Sequence, residues 1–320
     1  MIKTLKEAAK SIITAKNIAV ICHIRPDCDT IGSGLGLRRI LLTLGKGVTV
    51  HCSDPVPEKF AFFEDASAVT QKAIPAADLI ISVDCSDSLR MGSFREAFLA
   101  HSNTVNIDHH VSNTREGKVN VVADEYSSSS ELIYELCLVL KVPLTREIAL
   151  PLYLGLSTDT GNFAHSNTNE HSLLTAAALK RETGDVSEYI YLLYKDNPKP
   201  RFVLMANVLK GARFFAEDRL CILTVTRESL ASAGADETMT EGFVEQAVNC
   251  SPVEVGVCVL EHGRNTYKVS FRSKRYVDVS GVAGVFGGGG HVRASGCMLS
   301  GFYEDVIDKI VKAVTDRLTD

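Results

Sequence analysis

The apolar run Ile18-Ala19-Val20-Ile21 leads into His23-Ile24-Arg25-Pro26-Asp27-Cys28-Asp29-Thr30-Ile31-Gly32-Ser33, and a segment of helical character, Leu35 to Leu42, follows. A buried strand, a tight turn and a helix in succession form the opening unit of an open α/β sheet. Such sheets place their chemistry at the carboxyl ends of their strands. One imidazole and two carboxylates stand at that place here. Asp27 and Asp29 are two residues apart and repel each other unless a cation lies between them, so the turn points to metal.

The strand-to-helix pattern recurs. Strands are expected at 17–22, 47–52, 78–83 and 103–107, with helices at 2–16 and 31–44. From Ser127 the chain turns helical. The run Ser127-Ser128-Ser129-Ser130-Glu131 reads as the cap of a helix reaching about residue 140, because serine hydroxyls accept the free N–H groups of a first turn. Helices at 145–157, with Pro151 as a possible kink, and at 169–182 complete this half. The sequence Asp196-Asn197-Pro198-Lys199-Pro200 breaks the pattern and a helix at 201–210 follows it. Beyond it, strands are expected at 219–226, 254–262 and 266–272, with helices at 241–249 and 303–318. The fold class expected is α/β: an N-terminal domain with a doubly wound, mostly parallel sheet, plus a smaller α+β C-terminal domain. The expected boundaries are 1–185, a linker at 186–212, and 213–320.

With 320 residues, 45% of them hydrophobic and 23% charged, the chain can bury two ordinary cores. A net charge of −5 argues against a broad basic coat for long nucleic acid. The longest apolar runs fall short of the ~20 residues of a membrane span, and the N-terminus carries Glu7 and no apolar signal core. The nine cysteines are odd in number and scattered, without a C-x-x-C pair. Together these features fit a reducing cytoplasm and argue against a disulfide frame or a thiolate zinc site. Cys28 and Cys85 stand beside aspartates and read as small fillers of a tight site.

The other strand ends repeat the first. Asp84 follows the strand at 78–83, and Asp108-His109-His110 follows 103–107. A later helix ends in Gly155-Leu156-Ser157-Thr158-Asp159-Thr160-Gly161. Taken singly these residues are unremarkable: an aspartate at a helix start is usually a cap, and a lone histidine such as His51, His101 or His171 is usually surface or core. As a set at converging strand ends they would be costly to bury without cations. Aspartates and histidines of this kind can hold two divalent ions with one aspartate shared. Carboxylate and imidazole donors suit manganese or magnesium better than a thiolate-held zinc.

The ordered set HIRPDCDTIGS, VDCSD, DHH and GLSTDTG resembles the four motifs of the DHH phosphoesterase superfamily. The tail Phe286-Gly287-Gly288-Gly289-Gly290-His291-Val292-Arg293-Ala294-Ser295-Gly296 resembles the DHH-associated C-terminal domain. The resemblance spans residues 23 to about 296. It implies that His23, Asp27 and Asp84 hold one manganese ion. Asp29, Asp84, His109 and Asp159 would hold the other, with Asp84 shared. It further implies that His110 lies near the phosphate and that Asp108 orients the histidines. Catalytic roles therefore fall to His110, Asp84 and Asp108.

The four glycines let backbone N–H groups approach an anion, and His291 and Arg293 add donors beside them. With Arg272 at the end of a strand, the expected substrate contacts are Arg272, Gly288, Gly289, Gly290, His291 and Arg293. Arg272 and His291 are preferred among them; Lys274, Arg275 and Arg293 are weaker choices, since clustered cations are often only solvated. The resemblance implies that this domain faces the metals across a short cleft.

A short, two-domain chain of this kind resembles the nanoRNases that also act on 3′-phosphoadenosine-5′-phosphate (pAp). The expected activity is thus manganese-dependent hydrolysis of short oligoribonucleotides and pAp, with magnesium as the other candidate ion. Stand-alone phosphodiesterases of cyclic di-AMP or pApA are also similar, and a non-catalytic nucleotide- or RNA-binding module is a third reading. The partners expected are (di)nucleotides or short oligonucleotides, no membrane, and a second copy of the chain in a homodimer.

Overall fold

A computed structural model describes residues 2–318; Met1, Thr319 and Asp320 lie outside the described part. The chain divides into two compact units, Met1–Asp196 and Asn197–Asp320. No described helix is long and apolar enough to cross a membrane.

The first unit runs α1 (Ile2–Thr14), β1 (Asn17–Ile21), α2 (Cys28–Thr43), β2 (Gly47–His51), β3 (Val69–Thr70), β4 (Leu79–Val83), α3 (Arg95–Ala100), β5 (Thr104–Asp108), β6 (Val119–Val122), α4 (Ser129–Leu140), α5 (Arg146–Asp159), α6 (Glu170–Thr183) and α7 (Ser187–Tyr194). Its six strands lie in the order β3-β2-β1-β4-β5-β6, and every pairing is parallel. Alternate residues of β1 serve opposite faces of this sheet. Ile18 and Val20 join the large core with α1, α2, α4 and α5. Ala19 and Ile21 pack with Ile80, Met91, Phe94 and Phe98 on the other side. Both faces are thus covered, as an all-parallel sheet requires.

Strand order reverses at β1 and β4, whose carboxyl ends lie side by side at the centre of the sheet. That switch point is where α/β sheets open a crevice. Helices α2 and α5 pack backbone to backbone beside it. A Cβ added at Gly32 would lie 2.4 Å from Pro151 O, and one at Gly155 would lie 2.7 Å from Asp29 Oδ1. This close approach brings the start of α2, with Asp29, to the end of α5, with Asp159.

The second unit runs α8 (Lys199–Lys210), β7 (Arg213–Phe215), β8 (Leu220–Val225), α9 (Arg227–Ala233), α10 (Phe243–Val248), β9 (Val255–Gly263), β10 (Thr266–Ser273), α11 (Val279–Val285), β11 (Gly289–His291), β12 (Ala294–Ser300) and α12 (Tyr303–Thr315). Its sheet order is β11-β12-β10-β9-β8-β7. Only β8 and β9 pair in parallel there, so the sheet is mixed. One face packs on α11 and α12 through Val257, Val269 and Phe271, the other on α8 and α10 through Leu223, Val225 and Phe243.

Three local expectations change. Helix α2 begins at Cys28, three residues earlier than the apolar periodicity marks, because Asp27 accepts the Thr30 N–H as its N-cap. The glycine run, expected as an open loop, continues into an edge strand, β11, paired with β12. The stretch 186–212 holds α7 and α8. Tyr189, Ile190 and Leu193 of α7 pack on the first unit's core, while Leu204 and Val208 of α8 belong to the second's.

Candidate metal centre and nucleotide-binding strands

Asp84 is the pivot of the first unit. It leaves β4 at φ +59°, a conformation that costs an ordinary residue about 1–2 kcal/mol, and its N–H is tied to Ile107 O at 2.9 Å on the neighbouring strand. Its two carboxylate oxygens face different histidines. Oδ2 lies 3.4 Å from His23 Nε2, while Oδ1 lies 3.5 Å from His109 Nε2 and 3.7 Å from His110 Nδ1. Asp27 Oδ2 is 3.4 Å from His23 Nε2 on the first side. On the second, Asp159 Oδ2 is 3.1 Å from His109 Nε2.

Among the described residues, three groups of side chains have ligand atoms within 4.8 Å of one another: His23, Asp27 and Asp84; Asp84, His109 and His110; Asp29, His109 and Asp159. All six expected ligands fall in these groups. The test of fit for a cation is the state of the two imidazoles. His23 Nε2 and His109 Nε2 are buried and make no hydrogen bond, although carboxylates surround them. Each ring thus offers a nitrogen toward several carboxylates and is aligned with none, as expected of atoms that share a bound ion rather than bond each other. The residues present fit divalent cations.

Second partners fix the rings. His23 Nδ1 lies 2.7 Å from Ile24 O. His110 Nδ1 lies 2.7 Å from Asp108 Oδ1, and Asn113 Nδ2 donates to Asp108 Oδ2 at 2.6 Å. Asp108 itself is fully buried and belongs to none of the three groups, in keeping with an orienting part. Such outer partners set the tautomer and direction of a ligand.

The electrostatics follow from burial and charge. Burial opposes a charged ring at His23, but the attraction of Asp27 and Asp84 outweighs it and lifts the pKa to about 10. At His109 burial is likewise outweighed, by Asp159 and then Asp84 and Asp29, and the pKa again reaches about 10. Burial also opposes charge on His110, where Asp108 and Asp84 prevail and raise its pKa. Burial works against the Asp84 carboxylate too, yet the histidines around it hold its pKa well below the usual range. Asp159 is raised to about 6, chiefly by burial with His109 partly offsetting it. Asp29 is raised by burial and by Asp159 and Asp84. Protonated imidazoles thus balance the carboxylates when no cation does.

Cys28 and Cys85 are buried, and burial pushes both thiols well above their ordinary pKa. They belong to none of the metal-capable groups; they fill space.

Sequence reasoning missed the residues that hold the ligands. Ser129 Oγ donates to Asp84 Oδ1 at 2.9 Å. The N–H groups of Ser129 and Ser130 donate to the two oxygens of Asp29 at 2.7 and 3.1 Å. The serine run had signalled a helix cap, which it is, but not the distant carboxylates it serves. His171, read as a lone histidine, lies 2.9 Å from Glu131 Oε1 and 3.2 Å from Glu135 Oε1.

In the second unit the expected substrate residues share one end of the sheet. Arg272 of β10 stands opposite Ala294 of β12, which stands opposite His291 of β11, so Arg272 and His291 occupy one cross-strand row roughly 10 Å apart. Arg272 Nε donates to Glu245 Oε1 at 3.0 Å. Two glycines are dictated by space or conformation. A Cβ at Gly288 would lie 2.2 Å from Gly296 O, and Gly290 adopts φ +145°. Gly289 and His291 are exposed on the edge strand. Arg293 is engaged elsewhere: its guanidinium donates to Val277 O at 2.9 Å. Lys274 Nζ likewise donates to Cys250 O at 2.8 Å.

The sequence pattern of the DHH family, N-terminal domain, matches residues 17–156, and that of the DHHA1 domain matches residues 217–320. A bifunctional oligoribonuclease and PAP phosphatase NrnA of Thermus thermophilus is 34% identical over 308 residues, which are 94% of this chain and 90% of that protein. The protein of the same description from Bacillus subtilis is 27% identical, covering 95% of this chain and 96% of that one. Among solved structures, an exopolyphosphatase-related protein from Bacteroides fragilis superposes with a TM-score of 0.93 at 24% identity, over 99% of this chain and 96% of that one. Exonuclease RecJ bound to manganese shares the fold at a TM-score of 0.54 and 15% identity, over 99% of this chain and 95% of that one.

Proposed function

Because this chain belongs to the DHH family, we propose that it is a manganese-dependent phosphoesterase that hydrolyses short oligoribonucleotides and pAp; its relatives are named oligoribonuclease and PAP phosphatase. The observation that carries the metal part is the pair of buried, unbonded imidazole nitrogens of His23 and His109 on either side of one Asp84 carboxylate. His23, Asp27 and Asp84 would hold one ion; Asp29, Asp84, His109 and Asp159 would hold the other. Bound there, two divalent ions would supply a nucleophile at neutral pH and neutralise charge on the phosphoryl oxygens.

The chain's own residues do the rest. Asp84 keeps one oxygen toward each histidine, which fixes the spacing of the site. His110, steadied through Nδ1 by Asp108, keeps its proton to a higher pH than free imidazole and donates to a phosphoryl oxygen as negative charge builds there. Arg272 and His291, in one cross-strand row, receive the remaining phosphate or base of a short substrate, with the glycine N–H groups beside them. Of the further cations at that end of the sheet, Arg293 donates to Val277 O and Lys274 to Cys250 O, which leaves fewer to follow a long strand and suits a dinucleotide better.

The test is turnover of short RNA, pAp, pApA and cyclic di-AMP side by side with manganese. The expected order puts short RNA and pAp first. Preference for cyclic di-AMP or pApA would reassign the substrate and keep the chemistry. Asp84→Ala is expected to abolish all four activities, and hydrolysis at the wild-type rate in that variant would refute the metal mechanism.

A further inference from the structure

Helix α4 begins with four serines and a glutamate, and its first-turn donors are shared out in an unusual way. The Glu131 N–H goes to the Ser128 hydroxyl at 3.2 Å, the ordinary cap. A glutamate at this position commonly reaches back to the N-cap N–H. Glu131 instead accepts the N–H of Ser127, one residue earlier, at 2.6 Å through Oε2. The next two donors, Ser129 N–H and Ser130 N–H, are left to Asp29, a residue 100 and 101 positions away. The positive end of a 12-residue helix thus serves the Asp29 carboxylate with two N–H groups, beside its own Ser128 cap.

The same turn reaches Asp84 directly and, through Asn167, the backbone carbonyl of Asp159. Ser129 Oγ donates to Asp84. Ser127 Oγ donates to Asn167 O at 2.7 Å, and Asn167 Nδ2 donates back to Ser127 O at 3.3 Å and to Asp159 O at 3.1 Å. What holds the turn is Glu131, fully buried, with its other oxygen 2.9 Å from His171 Nδ1 on α6.

We propose that Glu131, steadied by His171, is a positioning residue for the metal centre: it locks the 127–130 turn so that one element aligns Asp29, Asp84 and Asp159 together. The inference rests on the metal reading above. None of the three ligands touches Glu131, so its effect on ion binding passes through the turn. Carboxylates held by such outer partners lose about 10–100-fold in metal affinity when the partner is removed.

The experiment is manganese binding to metal-free protein, followed by the loss of the free Mn(II) signal in electron paramagnetic resonance, with circular dichroism to check the fold. Wild-type protein is expected to take up two equivalents; failure to bind would sink the metal reading itself and is thereby distinguished from failure of the present one. Glu131→Ala is expected to weaken binding about 10–100-fold, whereas Glu131→Gln, which keeps an acceptor for the Ser127 N–H, is expected to stay close to wild type. A folded Glu131→Ala that binds like wild type overturns the proposal, as does an equal loss in Glu131→Gln, which would make the effect one of charge. Should Glu131→Ala not fold, His171→Ala decides: weakened binding supports the clamp and wild-type binding refutes it.

Discussion

Manganese uptake by the metal-free protein is expected to expel protons, and their number can be worked out. A histidine ligates through a neutral ring, yet His23 and His109 both titrate at about 10 when only carboxylates surround them. At pH 8 each ring is therefore about 99% protonated and must release close to one proton on binding an ion. Asp159, at about 6, is already ionised at that pH and releases almost none. The expected count is about two protons per pair of ions. Deprotonating each ring two pH units below its pKa costs about 2.7 kcal/mol, roughly a 100-fold loss of affinity per site. Affinity should accordingly climb about tenfold per site for each pH unit between 7 and 8.5. The stability of the metal-free protein carries the opposite sign. Both histidines have folded pKa values above their unfolded value of 6.5. Their contribution is complete below pH 6.5 and drains away as pH rises through 10. Titration calorimetry in buffers of different ionisation enthalpy yields the proton count directly. Fewer than one proton released per two ions, or an affinity flat in pH, would show that the imidazoles are neutral and that the attraction of the aspartates was overstated.

Asp27→Ala and Asp29→Ala should each remove one ion preferentially, read as a binding stoichiometry near one. Their costs to folding should differ. Asp27 is a half-exposed helix cap worth about 1 kcal/mol, whereas losing Asp29 strands the buried N–H groups of Ser129 and Ser130 at about 1–3 kcal/mol each, measurable by urea denaturation. Asn113→Ala frees Asp108 on one side and should lower kcat through His110 by about 10-fold or more, with manganese stoichiometry unchanged. Gly32→Ala drives a methyl toward Pro151 O and should destabilise the first unit by about 1–3 kcal/mol, seen as a lower Tm.

The candidate ligands were legible because they are uncommon residue types in a telling position. A histidine or aspartate directly after an apolar run is hard to explain as packing; His23 and Asp84 stand so, and His109 follows one place behind Asp108. The residues that hold the ligands are common types with sufficient local explanations. Ser128 does cap α4, so nothing in the serine run hinted that Ser129 serves Asp84, 45 residues upstream. His171 has no acidic neighbour within its own first helical turn except Glu170, and its true partners are 40 and 36 residues distant. The edge strand Gly289–His291 escaped for a related reason: glycines show no alternation of side chains, so only pairing with β12 makes them a strand. Local rules therefore single out the groups that could hold a metal, and stop where a common residue does a second job across the fold. Asp29 marks the boundary. It reads as a ligand because a second carboxylate stands two residues before it. That it can be held at 0% exposure beside Asp84 and Asp159 depends on donors from a helix a hundred residues later, and that dependence is a property of the fold alone.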